Sequence, residues 1–283
     1  MNATSEGPGS KQRQNGAWSA THGNPMAVAP PGPAVEMRQV CKRFGGVHAL
    51  RDFSLHVDYG EIVAIVGNNG AGKSTLMSII AGSFPPDSGT LIVGGEAQAF
   101  RNPWQARDCG IEHVPQDLAL AEQLSVDANM FLGREITKRI AGVRILDKRQ
   151  MRERARQIIE DFDIHLPTYR SRVFDLSGGQ KQGVAIGRAV TWAKRLVLLD
   201  EPTAALGQQE TLRVEETIRE LKAANIGILL ISHNLDQVFR VADRAYVIRR
   251  GEQVGERQIS ETDPTELVSL ITGASPGGPQ IVS

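Results

Sequence analysis

From residue 34 onward the chain alternates short apolar runs with amphipathic stretches. The segments "AVEMRQVCKRF" and "DFSLHVDYGEIVAIVG" carry alternating and then continuous apolar residues, which predicts early strands entering a buried sheet. A helix is expected from Lys73. "DSGTLIVGGEAQAF" predicts a hairpin around Gly94-Gly95, so some antiparallel sheet should accompany the core. From about 124 to 172 the pattern turns helical and charged: in "DKRQMRERARQIIEDF", Met151, Ala155, Ile158, Ile159 and Phe162 recur at helical spacing. This predicts an inserted helical lobe, bounded at about 118–190, whose arginines form a solvated face rather than a nucleic-acid patch. Beyond it, "RLVLLDE" and "IGILLISH" have the character of buried parallel strands, separated by the amphipathic "QQETLRVEETIRELKAAN". The alternation means an α/β fold.

Composition narrows this picture. With 283 residues and 41% hydrophobic content the chain can bury a sizeable core. Its 32 basic residues equal its 32 acidic ones, so no global charge points to nucleic acid or an anionic surface, and any such partner must be argued locally. Cys41 and Cys109 form no close motif, which excludes a disulfide framework or a cysteine-rich zinc site and suits a reducing compartment. No apolar run approaches the roughly 20 residues that span a bilayer. Residues 1–33 are rich in breakers and small polar residues and read as a disordered tail. Residues 273–283, also breaker-rich, read as a flexible end, which leaves 34–272 as one domain.

Three segments carry chemistry. In "GNNGAGKSTL", Gly67, Gly72, Lys73 and Ser74 match the phosphate-loop pattern after a strand and before a helix. The stretch Gly67, Asn68, Asn69, Gly70, Ala71, Gly72 lets successive N–H groups converge on phosphate oxygens at the positive end of a helix that opens with Lys73, Ser74 and Thr75. Lys73 would reach the β- and γ-phosphates and Ser74 a Mg²⁺ ion. "LVLLDE" ends a strand in two acids: Asp200 would hold Mg²⁺ through water and Glu201 would polarise the attacking water. In "LSGGQKQ", Ser177, Gly178, Gly179 and Gln180 open a helix near Gln180 and form a second anion site of hydroxyl, bare amides and helix dipole. One nucleotide and two phosphate-grasping segments pose a geometric puzzle.

These motifs, in this order from about Val35 to Gly251, resemble the ATP-binding subunit of ABC transporters, in which LSGGQ faces a nucleotide held by the partner subunit. The resemblance implies a P-loop NTPase core with an antiparallel β subdomain and an inserted helical subdomain. It also implies ATP and Mg²⁺, a homodimer, and transmembrane permease subunits. It further implies that Phe44 in "CKRFGG" stacks on adenine, that Gln116 in "VPQDLAL" contacts Mg²⁺ and senses the permease, and that His233 in "ISHN" touches the γ-phosphate. One departure is Gly207 in "AALG", where the family usually has an aspartate that helps the subunits communicate. "AALG", "NMFLGRE" and "PQDLAL" are most similar to bacterial monosaccharide importers of the ribose, xylose and fructose kind. That likeness implies a periplasmic sugar-binding protein as an indirect partner and a peripheral place on the cytoplasmic face of the inner membrane.

Two other functions fit parts of the pattern. A soluble ABC-type ATPase acting on DNA or ribosomes is one: DNA-organising members need a long coiled coil between residues 76 and 176, where no sustained heptads occur, and ribosome-acting members usually carry two cassettes, whereas this chain has one phosphate loop. A nucleotide-dependent regulator that does not hydrolyse is suggested by Gly207 and opposed by Glu201.

Overall fold

The computed structural model describes residues 32–161, 164, 166–204 and 206–274. Of the expected tails at 1–33 and 273–283, residues 1–31 and 275–283 lie outside the described residues, as does the periodic position Phe162.

Strands β1 (Val35–Phe44) and β2 (Val47–Val57) pair antiparallel across Gly45-Gly46, with Phe44 opposite Val47. Strand β3 (Ile62–Val66) is buried at every position and runs into helix α1 (Lys73–Ile80). The expected hairpin is β4 (Ser88–Val93) and β5 (Glu96–Gln98), turning at Gly94 and Gly95, both at positive φ as such a turn requires. Helix α2 (Pro103–Asp108) and strand β6 (Ile111–Val114) follow. The lobe holds α3 (Val126–Met130), the hairpin β7 (Thr137–Ile140) and β8 (Val143–Leu146), and α4 (Lys148–Asp161). The rest is α5 (Gly178–Trp192), β9 (Leu196–Asp200), α6 (Gln208–Ala223), β10 (Gly227–Ile231), α7 (Leu235–Val241), β11 (Arg244–Arg249), β12 (Glu252–Gln258) and α8 (Pro264–Thr272).

These elements build two main sheets. A six-stranded sheet has the order β12-β11-β3-β10-β9-β6, parallel except for β12. A four-stranded antiparallel sheet has the order β2-β1-β4-β5. The first two strands therefore lie in this second sheet rather than in the buried parallel one, because their alternation suits a surface with one face packed and one face wet. Strand periodicity divides the core. Val63, Ile65, Leu198, Leu229 and Ile231 face α1 and the antiparallel sheet, while Ile62, Val197, Leu199, Ile228 and Leu230 face α5 and α6.

The lobe has its own apolar centre of Val126, Met130, Phe131, Met151, Ala155, Ile158, Val173, Leu176 and Val184. Segment 124–172 is not helical throughout, as its charge pattern suggested. "TKRIAGVRIL" pairs with itself around Ala141-Gly142, both at positive φ, and forms a separate two-stranded sheet. Fully buried Asn129 ties the lobe's entry together by accepting from the Ala121 N–H and donating to the carbonyls of Ala121 and Ser125.

His113 on β6 is placed where protonation is costly: its Nε2 is buried without a hydrogen-bond partner, and burial pulls its pKa down to about 4. The unfolded chain binds the proton near pH 6.5 and the folded chain does not, so stability is lost as pH falls from about 6.5 towards 4. In urea unfolding, wild type should lose on the order of 1 kcal/mol more than His113→Gln between pH 7 and pH 5. An equal loss in both would show that His113 is free to protonate in the folded chain.

Candidate functional site

The loop between β3 and α1 is shaped by close approach. A Cβ at Gly67 would collide with the Ile248 carbonyl oxygen, and one at Gly72 with the Ala49 carbonyl oxygen. Gly72 also has φ 114°, a conformation that a side chain resists. The loop is pinned by Ala71 N–H to the Asn68 carbonyl (3.1 Å) and by Gly251 N–H to the Ala71 carbonyl (2.8 Å). Asn68, Asn69 and Gly70 lie exposed at its tip, Ser74 is exposed in the first turn of α1, and Thr75 is half-buried beside it. Lys73 is buried and folds back, donating Nζ to the carbonyls of Gly67 (2.7 Å) and Asn68 (3.0 Å). Burial lowers its pKa, and the charges of Glu201 and Asp200 oppose that. The lysine and the two carboxylates thus share one field.

The register of the parallel sheet explains why they meet. Asp200 pairs with Ile231, and Ile231 with Ile65, so the carboxyl ends of β9, β10 and β3 fall side by side. Glu201 follows in a left-handed backbone conformation (φ 53°), held by its N–H donating to the Ile231 carbonyl (3.0 Å). Its Oε2 accepts from the His233 backbone N–H at 3.3 Å. Its Oε1 stands 3.0 Å from His233 Nε2 but out of hydrogen-bond alignment, and is a buried oxygen with no hydrogen-bond partner in the chain. Burial raises the pKa of both Glu201 and Asp200. A cleft of about 280 Å³ lined by Gly67, Asn68, Asn69, Ser232 and His233 opens at this edge. The arrangement offers bare amides, a cation for phosphate oxygens, and a shielded carboxylate for a water proton.

The remaining expected residues lie around this centre. Phe44 ends β1 with its ring about half exposed, edge-on to Phe84 at 5.3 Å between centroids. Gln116 is exposed two residues beyond β6, on the same sheet edge as Asp200, since Val114 pairs with Leu199. Ser177 caps α5: its Oγ accepts from Gln180 N–H while Gln180 Oε1 accepts from Ser177 N–H. The helix accordingly starts at Gly178, two residues before the expected start at Gln180. Ser177, Gly179 and Gln180 line a different hollow, shared with Glu210 and Arg213, and not the cleft beside Gly67. The two anion-grasping segments are therefore not brought together within one chain.

Several residues outside these motifs support the site. Fully buried Gln237 accepts from Ser232 Oγ (2.8 Å) and Thr203 Oγ1 (3.1 Å), tying the segments after β9 and β10 to one amide. Arg188 on α5 donates to the carbonyls of Ala119 (2.9 Å) and Leu118 (3.2 Å), two residues at positive φ just after Gln116. These partners are 69 and 70 residues away, so no local pattern announces them. Glu210 accepts from Gly207 N–H (3.0 Å) and its carboxylate rests where a side chain at Gly179 would be. Its spacing, three residues after a helix-capping position, was a legible signal.

Steric demand at Gly72 can be separated from loop strain. Gly72→Ala should lower stability by about 2 kcal/mol or more, since it meets a backbone oxygen as well as a strained φ. Gly70→Ala, at φ 75° with open space around it, should cost only about 1 kcal/mol. Thermal unfolding of the two variants checks the order, and equal losses would refute the close-approach account.

Comparison with known proteins agrees with this geometry. The family model described as "ABC transporter" matches residues 50–204. The xylose/arabinose import ATP-binding protein XylG of Sulfolobus acidocaldarius is 42% identical over 86% of this chain and 95% of its own length. The fructose import ATP-binding protein FrcA of Rhizobium meliloti is 42% identical over the same shares. Among solved structures, an ATP-binding cassette of an ABC transporter in its ADP conformation superposes with TM-score 0.68 at 26% identity, covering 86% of this chain and 96% of that one. With a phosphate loop, an acid-ended strand and a Ser-Gly-Gly helix start on this fold, the chain belongs to the ABC transporter family as one of its ATP-binding, ATP-hydrolysing cassettes.

Proposed function

We propose that the chain is the motor subunit of an importer that carries a monosaccharide across the bacterial inner membrane. Two copies close on two ATP molecules at the cytoplasmic face, reopen on hydrolysis, and move transmembrane permease subunits that receive cargo from a periplasmic sugar-binding protein. No nucleic acid takes part. The sugar assignment rests on the xylose/arabinose and fructose import proteins to which the chain is similar over nearly their whole length.

The observation that carries the hydrolytic reading is the meeting of Lys73, Asp200, Glu201 and His233 at one sheet edge. Lys73 exchanges the Gly67 and Asn68 carbonyls for the terminal phosphates. Amides from Asn68, Asn69, Gly70, Ala71 and Gly72, with Thr75 beside them, surround the rest of the tail, and Phe44 stacks on the adenine. Glu201, whose Oε1 has no hydrogen-bond partner in the chain, orients water and takes its proton, and the neighbouring His233 touches the γ-phosphate. Ser177, Gly178, Gly179 and Gln180 of the second copy complete the anion site, which the separation of the two hollows within one chain supports.

Among the described residues no group of three or more His, Cys, Asp or Glu could hold a metal alone. A hydroxyl at Ser74, an amide at Gln116 and one carboxylate at Asp200 suit magnesium that arrives with phosphates, a cation usually bound by one or two carboxylates plus substrate oxygens. When bound, magnesium neutralises charge on the β- and γ-phosphate oxygens.

Glu201→Gln should retain ATP binding, lose about 10²–10⁴-fold in turnover and accumulate as a nucleotide-loaded dimer by light scattering. Unchanged phosphate release would remove Glu201 from the chemistry, and a strictly monomeric loaded variant would remove the two-copy site. Lys73→Ala should abolish ATP binding in a calorimetric titration. Because burial raises the Glu201 pKa in the nucleotide-free chain, the acid side of the kcat/KM profile should fall away above the ordinary carboxylate range, and a fall only within that range would contradict the shielded base. For the cargo, turnover in vesicles with the permease should rise on adding the monosaccharide-loaded binding protein.

A further inference from the structure

The hairpin β7–β8 has no assigned task. All ten residues from Thr137 to Leu146 are exposed, and the two strands pair only with each other. A lone two-stranded hairpin is marginal in water. Its pairing is Thr137 with Leu146, Lys138 with Ile145, Arg139 with Arg144 and Ile140 with Val143. The tip Ile140-Ala141-Gly142-Val143 carries no polar side chain, and Ile140 and Val143 are 53% and 62% exposed. Immediately behind the tip two arginines face each other across the strands, an arrangement that repels. Among the described residues neither makes an ion pair, whereas Lys138 reaches Asp147 at 3.6 Å. No carboxylate occurs between Ile136 and Leu146.

An apolar tip backed by a collar of cations fits a surface that is apolar below and anionic above. We propose that this hairpin dips tip-first into the anionic face of a lipid bilayer, with Ile140 and Val143 at the acyl-chain boundary and Arg139 and Arg144 on headgroup phosphates. Phosphate between the two guanidinium groups relieves their repulsion. Charge complementarity favours lipid over a permease loop, because cytoplasmic loops of membrane proteins carry an excess of Lys and Arg and would repel this collar. The inner leaflet is negative and attracts basic segments. One such hairpin binds weakly by itself, but tethering through a permease makes its contact intramolecular, where a weak hold suffices. The proposal rests on the reading that the chain works at a membrane.

Flotation of the full chain with vesicles of phosphatidylglycerol and phosphatidylcholine, at low ionic strength, tests it. Wild type should float with these vesicles and stay behind with phosphatidylcholine alone. Arg139→Ser/Arg144→Ser should weaken binding on the order of tenfold or more, and Val143→Asp should abolish it, given the usual worth of a basic residue near such a surface. ATP hydrolysis in solution and thermal unfolding of both variants should match wild type. No flotation, equal binding to both vesicle types, undiminished binding by the variants, or binding only to detergent-solubilised permease would overturn the proposal. The solution assay reads the motor function separately: vesicle binding without turnover would defeat that function and leave the lipid contact standing, and turnover without vesicle binding the reverse.

Discussion

The site depends on a backbone meeting a backbone. Gly67 lies beneath the Ile248 carbonyl and Gly72 against the Ala49 carbonyl, while Gly251 N–H closes onto the carbonyl of Ala71. The loop is therefore clamped between the parallel sheet, through β11, and the antiparallel sheet, through β2. This clamp fixes where the bare amides point and sets the β1–β2 hairpin, with Phe44 at its turn, beside the same loop. Any side chain at those two glycines would part the sheets as well as spoil an anion cradle, so packing and chemistry impose one demand.

The second constraint is electrostatic. A parallel sheet places the carboxyl ends of its strands in one row, and here that row holds Asp200, Glu201 and His233 next to Lys73. Partial burial makes each charge costly: it raises both carboxylates and lowers the lysine, and the opposite charges offset part of that. Such a cluster is held together by what surrounds it. Gln237, gripping Thr203 and Ser232, keeps the two loops that carry the acid and the histidine at a fixed spacing. The left-handed turn at Glu201 is strain of the kind that surrounding contacts must over-determine.

The lobe is built to be partly independent. Its apolar centre is its own, and it joins the parallel sheet through α5, whose first turn carries Ser177 and whose middle carries Arg188. Arg188 grips the left-handed pair Leu118 and Ala119, next to Gln116 on the edge shared with Asp200. Arg188, half-buried, thus links cleft and lobe, and the Glu112–Arg134 ion pair at 2.6 Å adds a second tie from β6 to the lobe. On the other side of α5, Glu210 takes up the N–H of Gly207 and packs on Gly179, so a carboxylate still sits in this region although residue 207 has none.

Sequence alone determined the α/β class, the strand that feeds the phosphate loop and the Gly94-Gly95 hairpin, and it singled out Gly67, Asn68, Asn69 and His233, which line the cleft, because each is written in local periodicity or in motifs a few residues long. In segment 124–172 a run of charges masks the Ala141-Gly142 turn and its alternating flanks, and at α5 the mutual cap of Ser177 and Gln180 starts the helix at Gly178, two residues ahead of where the glycine pair suggests. Tertiary structure alone decided that β1 and β2 leave the parallel sheet, that Arg188 and Gln237 bridge distant loops, and that Ser177 and Gly67 line separate hollows in one chain. Those outcomes depend on which surfaces meet after the chain collapses, and contacts across dozens of residues leave no periodic trace along it.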